Sequence, residues 1–481
     1  MPQDFDINSI PERTRKPIRV LHVFGRLGLG GAESRIMDLY RNIDKNRVQF
    51  DFLVHTDAVL PKGIKYSSEE LMKVRKPEYF DEEIKRLGGH IYAVPRLNSK
   101  SILKYKGYIN DFFKANKGKW NVVQGHMTST AAIYLPIAKK YGAGITASHV
   151  RSGGTDPGLK GKLTEFLRKP FKKEGAADYY LSCTIAAARH VYGDELVDAG
   201  KVNIIPNAIS VDKFSYNEDV RNKIRNELGI SNAIVIGHVG RFHYAKNHEF
   251  LIRVFAQVVQ LIREDDKGRY TLIYGLPLRL MLLGEGPLMD DAKKLAHELE
   301  MDSRILFLGN KSNVADYYQA MDYFCFPSRY EGLPGTVVEA QAAGLQCLIS
   351  DSITPEVDIT RLVSRMSIED DPRIWAEKIL NDLVPRQDIY AHEVPDERYD
   401  NAFDRIYDKD QGYGRIPEGM GKVLVDLPEE HPYDRAHTSV YLAETIKRAG
   451  FDVRTQAVMM TYFYEHGSFR DDAGRNLREV P

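Results

Sequence analysis

Short apolar runs alternate with helix-period stretches along most of this 481-residue chain. Strands joined through helices run parallel and need cover on both faces, so the alternation predicts an α/β architecture with parallel sheets. Ile18–Phe24 reads as a buried strand, and Ser34–Ile43 as a helix with Ile36, Leu39, Tyr40 and Ile43 turned inward. Phe50–His55, His90–Val94, Val122–Gly125, Ile145–His149, Tyr179–Ser182 and Val202–Ile205 continue that series. A second series holds Ala233–Val239, Leu278–Leu283, Ile305–Leu308, Tyr323–Phe326 and Gln346–Ile349. The length exceeds one compact core and fits two or three domains. Pro206-Asn-Ala-Ile-Ser210 and the polar residues after it break regular structure. The expected layout is therefore a first domain over 1–207, a linker over 208–232 and a second domain over 233–387. Residues 388–481 form a tail. In it Gly421–Leu427 and Phe451–Met460 read as strands flanking a helix over Thr438–Ala449. One βαβ-like unit cannot bury both faces of a sheet, so the tail is expected to be the start of a truncated extra domain. Leu60–Pro77 and Arg263–Tyr274 read as surface insertions.

Charge and cysteine usage narrow the classes. Lys+Arg and Asp+Glu both number 67, against the basic excess usual in a nucleic-acid binder. Cys183, Cys325 and Cys347 are odd in number and widely spaced in apolar segments. They fit reduced thiols in a cytoplasmic protein rather than a disulfide frame or a zinc site. The N-terminus lacks a basic-then-apolar leader, and no apolar run approaches the ~18 residues of a membrane span.

The densest chemistry lies in Glu331-Gly-Leu-Pro-Gly-Thr-Val-Val-Glu339. A strand precedes it and a small-residue helix follows. A strand, a sharp turn and a helix start place Glu331 at the mouth of a sheet and Glu339 about two turns down, at ~1.5 Å per residue. Gly332, Pro334 and Gly335 let backbone approach a ligand, and a helix N-terminus favours anionic groups. Paired carboxylates there suit a polyhydroxylated ligand carrying phosphate. In Gly240-Arg-Phe-His-Tyr-Ala-Lys-Asn247, Arg241 offers a planar fork and Lys246 a point charge. Both sit where α/β sheets bind ligands. Gly284 and Gly286 mark a further turn. Beyond Phe307, backbone near Asn310 could meet the edge of a base, and Lys311 a phosphate.

The first turn, Gly28-Leu-Gly30-Gly31-Ala-Glu33, has glutamate where a dinucleotide fingerprint needs its third glycine. It reads as a close-approach loop beside a sugar or acceptor. Asp51 stands near a ribose-binding position, yet Glu33 would repel a pyrophosphate. His126 and His149 end neighbouring strands and suggest a lined cleft, with His126 the contact to a transferred group. The stretch 159–176 carries six basic residues beside an apolar stripe, the pattern of peripheral contact with an anionic membrane. Packing on the domain is the favoured reading, because Pro170 breaks the stripe.

Taken in order from Ile18 to Leu380, these residues resemble the GT-B retaining glycosyltransferases of family 4, nearest to exopolysaccharide- and capsule-synthesis members. The motifs are His22-Val-Phe-Gly-Arg with Gly30-Gly-Ala-Glu33, Gly237-His-Val-Gly-Arg241 with Lys246-Asn-His, Gly284-Glu-Gly-Pro287, Phe307-Leu-Gly309 and Glu339-Ala-Gln-Ala-Ala-Gly344. The resemblance implies two Rossmann-like doubly wound domains facing a cleft and transfer from a nucleotide-sugar, a UDP-sugar above all. The acceptor would be a glycan or lipid-linked glycan. No metal or other cofactor is implied, and the place of work would be the cytoplasm or the inner membrane face. Arg241 and Lys246 would hold the donor diphosphate. Glu339 would take the ribose hydroxyls and Glu331 those of the sugar. Backbone at Leu333, Pro334, Gly335 and Thr336 would meet phosphate or sugar, with Gly30, Gly31, Gly284 and Asn310 also lining the donor. The Gly335-Thr336 pair departs from the family's usual residues after Gly-Leu-Pro. A nucleotide-sugar epimerase on the same architecture and a non-catalytic nucleotide-sugar-binding partner stay open.

Overall fold

The structure is a computed structural model that describes residues 16–97, 102–151, 154, 158–265, 268, 275–383, 435–470 and 477. The chain forms two compact units, Met1–Ala208 with Val453–Pro481, and Ile209–Asp452. Each is built on one parallel sheet.

The first sheet comprises β1 (Ile18–Phe24), β2 (Val48–Thr56), β3 (Ile91–Pro95), β4 (Val122–Gly125), β5 (Ile145–Val150), β6 (Tyr179–Ser182) and β7 (Val202–Ile204). Their spatial order is β3-β2-β1-β4-β5-β6-β7. The helix Gly31–Asn42 lays Ile36, Met37, Leu39 and Tyr40 on it, and Phe50, Phe52, Val20 and Val54 fill the layer beneath. The second sheet comprises β8 (Ile234–Val239), β9 (Leu278–Leu283), β10 (Ile305–Gly309), β11 (Tyr323–Phe326), β12 (Gln346–Ser350) and β13 (Val363–Met366). Its order is β10-β9-β8-β11-β12-β13. Against it packs the strongly amphipathic helix His248–Arg263, with Leu251, Ile252, Val254, Phe255, Val258 and Val259 buried. Both orders run outward from the first strand in one direction, then return to its other side. That reversal is the mark of a doubly wound sheet.

Two expectations are corrected. Residues 208–232 are not a linker. Val211–Phe214 and Glu218–Glu227 are helices of the second unit. The charges that suggest a solvated connector bind buried carbonyls instead: Arg225 Nη1 donates to Ala320 O at 2.9 Å and Arg221 Nη1 to Gln319 O at 2.9 Å.

The tail is not a βαβ-like unit where it is described; Gly421–Leu427 lies outside the described residues. Arg435–Ile446 is a helix of the second unit, and its Arg435 guanidinium donates to the carbonyls of Ala343, Tyr318, Gln319 and Met321 at 2.6 to 3.1 Å. After Gly450, at φ 82°, the expected strand over Phe451–Met460 is part of the helix Val453–His466. This helix belongs to the first unit. Its buried residues Val453, Ala457, Met460, Phe463 and Tyr464 recur every three to four positions, a helical period that continues past Met460. Within Leu60–Pro77 a short helix, Ser68–Val74, is capped by Ser67. The Arg263–Tyr274 insertion falls largely outside the described residues.

Candidate active site

In doubly wound sheets ligands sit beyond the carboxyl ends of the strands, where the winding direction reverses. In the second unit that point lies between β8 and β11. The loops leaving these strands bring together Lys246 and Glu331, whose Nζ and Oε1 are 2.6 Å apart with side chains 19% and 14% exposed. The Lys246 ammonium also lies 4.7 Å from the centre of the Phe326 ring, a cation–π contact. The loops are fastened to each other by Arg329, whose N–H donates to Ala245 O at 2.7 Å and whose Nη2 donates to Asn247 Oδ1 at 2.8 Å.

The neighbouring turns complete one edge. Gly284 adopts φ +131°, and a Cβ there would lie 2.1 Å from the Gly240 carbonyl oxygen. Only glycine lets the turns after β8 and β9 touch in this way. Phe242 N–H donates to Glu285 O at 3.1 Å, and Asn310 Nδ2 to Glu285 Oε2 at 3.0 Å. Arg241 is exposed on the same turn.

The helix Gly335–Ala342 follows, with no side chain capping its N-terminus. Uncapped first-turn N–H groups and the helix dipole make such an end receptive to an anion. Glu339 is 3% exposed and one turn into this helix, not two as the spacing predicts, because the helix begins only at Gly335. Tyr318 holds it, its hydroxyl lying 3.0 Å from Glu339 Oε2 and 3.0 Å from Thr336 O. Gln341 locks the far side, donating to Val357 O at 2.9 Å and accepting from Thr360 N–H at 3.0 Å.

In the first unit the reversal lies between β1 and β4. His22 Nδ1 and His126 Nε2 are 3.0 Å apart, and the His126 ring stacks on Phe24 at 4.3 Å. His149 lies alongside, with ring centroids 5.5 Å from His126. Its Nδ1 accepts from Gln124 Nε2 at 2.8 Å. The amide is oriented by Tyr464 of the returning helix, which donates to Gln124 Oε1 at 2.7 Å. Burial, and then the Arg151 cation, pushes the His22 imidazole down to about 3 and holds His126 and His149 well below the ordinary value.

Those shifts have a consequence for stability. Below pH 6.5 the unfolded chain takes up protons that the buried imidazoles refuse. Their contribution is therefore complete above the unfolded value and is lost as pH falls from 6.5 toward the folded values. At about 1.4 kcal/mol per histidine per pH unit, His22 alone would remove about 2 kcal/mol between pH 6.5 and 5, and His126 and His149 add to the loss in the same direction. Thermal melts followed by circular dichroism should fall steeply over that interval, and His149→Gln should flatten the loss. A melting temperature indifferent to pH there would refute the assignment.

The structure thus gathers Arg241, Lys246, Gly284, Asn310, Glu331, Leu333, Pro334, Gly335, Thr336 and Glu339 on the carboxyl edge of the second sheet. It places Gly30, Gly31 and His126 on that of the first. Gly30 ends the loop as the helix N-cap, with the Glu33 carboxyl folded toward it. Asp51 is no ribose ligand: it is fully buried and takes hydrogen bonds from Arg19 Nε at 2.9 Å, Trp120 Nε1 at 2.8 Å and the His90 N–H. In 159–176, Leu167 and Phe171 are buried while Phe166 is 58% exposed. Arg168 turns inward to Thr128 Oγ1 at 3.0 Å. Among the described residues no helix is long and apolar enough to cross a membrane.

Sequence reasoning missed Tyr318, His22, His238, Arg151 and Tyr464. His238 lies under the second site, with Nδ1 2.9 Å from Cys325 O, and burial lowers it to about 3. The signal was present: His22 stands three residues before Gly25-Arg26 and His238 two before Gly240-Arg241, each near the end of the first strand of its sheet.

Comparison with known proteins agrees with this geometry. The sequence profile described as Glycosyl transferases group 1 matches residues 220–379. EpsF of Bacillus subtilis is 32% identical over 367 residues, covering 75% of this chain and 86% of its own. The chain belongs to the glycosyl transferases group 1 family. Another relative is the UDP-Gal:alpha-D-GlcNAc-diphosphoundecaprenol alpha-1,3-galactosyltransferase of Escherichia coli. It is 26% identical over 283 residues, covering 57% of this chain and 68% of its own. Among solved structures, HepE of Anabaena in complex with UDP and glucose superposes with a TM-score of 0.61 at 12% identity, covering 93% of this chain and 100% of its own. This group 1 chain thus shares the GT-B pair of Rossmann-like sheets.

Proposed function

We propose that the protein is a retaining glycosyltransferase that moves a sugar from a UDP-sugar to a glycan or lipid-linked glycan in cell-surface polysaccharide synthesis. The observation that carries the reading is the second-unit edge. There an ion-paired Lys246, an exposed Arg241, an uncapped helix start and a buried carboxylate occupy one switch point. Arg241 and Lys246 would neutralise charge developing on the departing diphosphate, in general the largest catalytic term for such a reaction. The open N–H groups at Gly335 and Thr336 would take a phosphate oxygen. Glu339, buried and braced by Tyr318, would accept from both ribose hydroxyls. Glu331 would hold the sugar's hydroxyls, and His126 would meet the transferred group. In this scheme the two carboxylates hold the donor from one side. They are not an acid/base pair flanking the scissile bond, and the leaving phosphate takes the proton of the incoming hydroxyl. No metal or other cofactor enters the scheme. The names of the relatives, a UDP-galactose transferase and a UDP complex, support UDP and a lipid-diphosphate acceptor. The basic face around Phe166 would bring the protein to an anionic membrane on the cytoplasmic side.

The test is nucleotide-dependent stabilisation. UDP at 100 times its Kd should raise stability by about 2.7 kcal/mol, seen as a higher melting temperature. Glu339→Ala should abolish the shift at the same concentration, whereas Tyr318→Phe should only weaken it. Absence of any UDP shift in the wild-type chain would sink the proposal.

A further inference from the structure

Deeply buried arginines elsewhere in this molecule have a carboxylate. Arg75 pairs with Asp81, Arg168 with Glu165, and Arg225 with Asp322. Arg151 makes no salt bridge among the described residues. It stands directly beyond the carboxyl end of β5, next to the strand that carries His126. Its Nη1 donates to Asn207 Oδ1 at 2.7 Å, and its Nη2 reaches His149 Nδ1 at 3.4 Å. Its Nε is buried with no hydrogen-bond partner among the described residues. Among the described residues no carboxylate pairs with it; the nearest ion pair is that of the neighbouring Arg35, whose Nη1 lies 3.4 Å from Asp38 Oδ2. His149 accepts at Nδ1 from Gln124 and so carries its proton on Nε2, where it too is buried without a partner. His22 and His126 are held neutral. The other cation felt by Arg151 is Arg35, from the helix after the Gly30-Gly31 turn, whose Nη1 lies 3.3 Å from Ala208 O. Two guanidinium groups thus converge beside residues 207 and 208. Burial first, with Arg35 adding to it, lowers Arg151 to about 10. A largely desolvated cation with no carboxylate partner among the described residues is costly for a fold to retain.

We propose that Arg151, with Arg35 beside it, is the subsite for a phosphate or diphosphate ester borne by the acceptor. The inference rests on the transfer reading only in calling that molecule the acceptor; the anion site follows from the first unit alone. A planar fork with an unpartnered Nε matches phosphate oxygens. In the proposed scheme the donor's own diphosphate is already served by Arg241 and Lys246. A phosphate ester arriving on a lipid and one arriving on a free sugar share this chemistry.

The test uses the full chain saturated with UDP, then titrated in separate arms with geranyl diphosphate and with glucose 1-phosphate. At least one should bind with UDP present, and the arm that binds identifies the source. Arg151→Gln should weaken that binding roughly tenfold or more, as expected for loss of a charge-assisted pair, and leave the Kd for UDP unchanged. Arg151→Lys should recover part of the loss, and it serves in place of the Gln variant should that fail to fold. Asn207→Ala separates charge from scaffolding, because it removes the strut on Nη1 and keeps the cation, so it should bind the ester within a few-fold of wild type. The proposal is overturned if neither phosphate binds, if Arg151→Gln binds it as wild type does, or if Asn207→Ala reproduces the loss in full. An equal loss of UDP affinity in Arg151→Gln would also overturn it. Phosphate bound through Arg151 by a chain that does not bind UDP would refute the donor reading and leave this one standing.

Discussion

Lys246→Ala should lower the rate of sugar transfer by roughly 10²–10³, the usual cost of removing one preorganised charge from a developing anion. The loss should appear mainly in kcat, since the charge on the leaving diphosphate grows toward the transition state. Two effects add in this variant. The ammonium 2.6 Å from Glu331 Oε1 disappears, and a largely buried carboxylate is left without its cation, which costs further free energy. Glu331→Gln separates them. It frees Lys246 for the diphosphate and removes only the sugar contact, so it should raise KM for the donor and spare more of kcat. Initial rates with radiolabelled UDP-sugar at saturating acceptor measure both. Full activity in Lys246→Ala would remove the second-unit edge from the mechanism.

Gly284→Ala should destabilise the second unit by about 3 kcal/mol or more, combining a strained positive φ with forced backbone movement. The new methyl would meet the Gly240 carbonyl 2.1 Å away. That contact is backbone on a turn, so no side chain can swing aside. The turn that carries Arg241 would have to move, and UDP affinity should fall together with stability. Urea unfolding with isothermal titration of UDP checks both. A loss below 1 kcal/mol would show that the turns after β8 and β9 yield more readily than their contact suggests.

The strands and the Glu331–Glu339 block are legible because their signals are local. Apolar runs bounded by turn residues need no knowledge of what they pack against. The same logic explains what is lost. β13 escapes notice because Val363-Ser-Arg-Met366 presents one buried residue in four. His22 and His238, near the carboxyl ends of β1 and β8, look like core packing until the sheet order brings them under the switch points. Arg221, Arg225 and Arg435 look like solvated charge, although their targets are carbonyls about a hundred residues away. The helix Val453–His466 carries a clear helical period. Reading it only as far as Met460 cuts that period in half and leaves a passable strand.

That last helix also bears on how the protein is made. Its partners, among them Phe50, Tyr179 and Gln124, leave the ribosome early. The helix follows only after about 240 further residues, roughly 10–50 s at ordinary elongation rates. Through that interval the first sheet stands with an uncovered apolar groove and a buried-histidine cluster lacking its tyrosine. The nascent first unit is therefore the stage of this protein's life most in need of a chaperone, and truncation before Val453 should turn a folding intermediate into a permanent one.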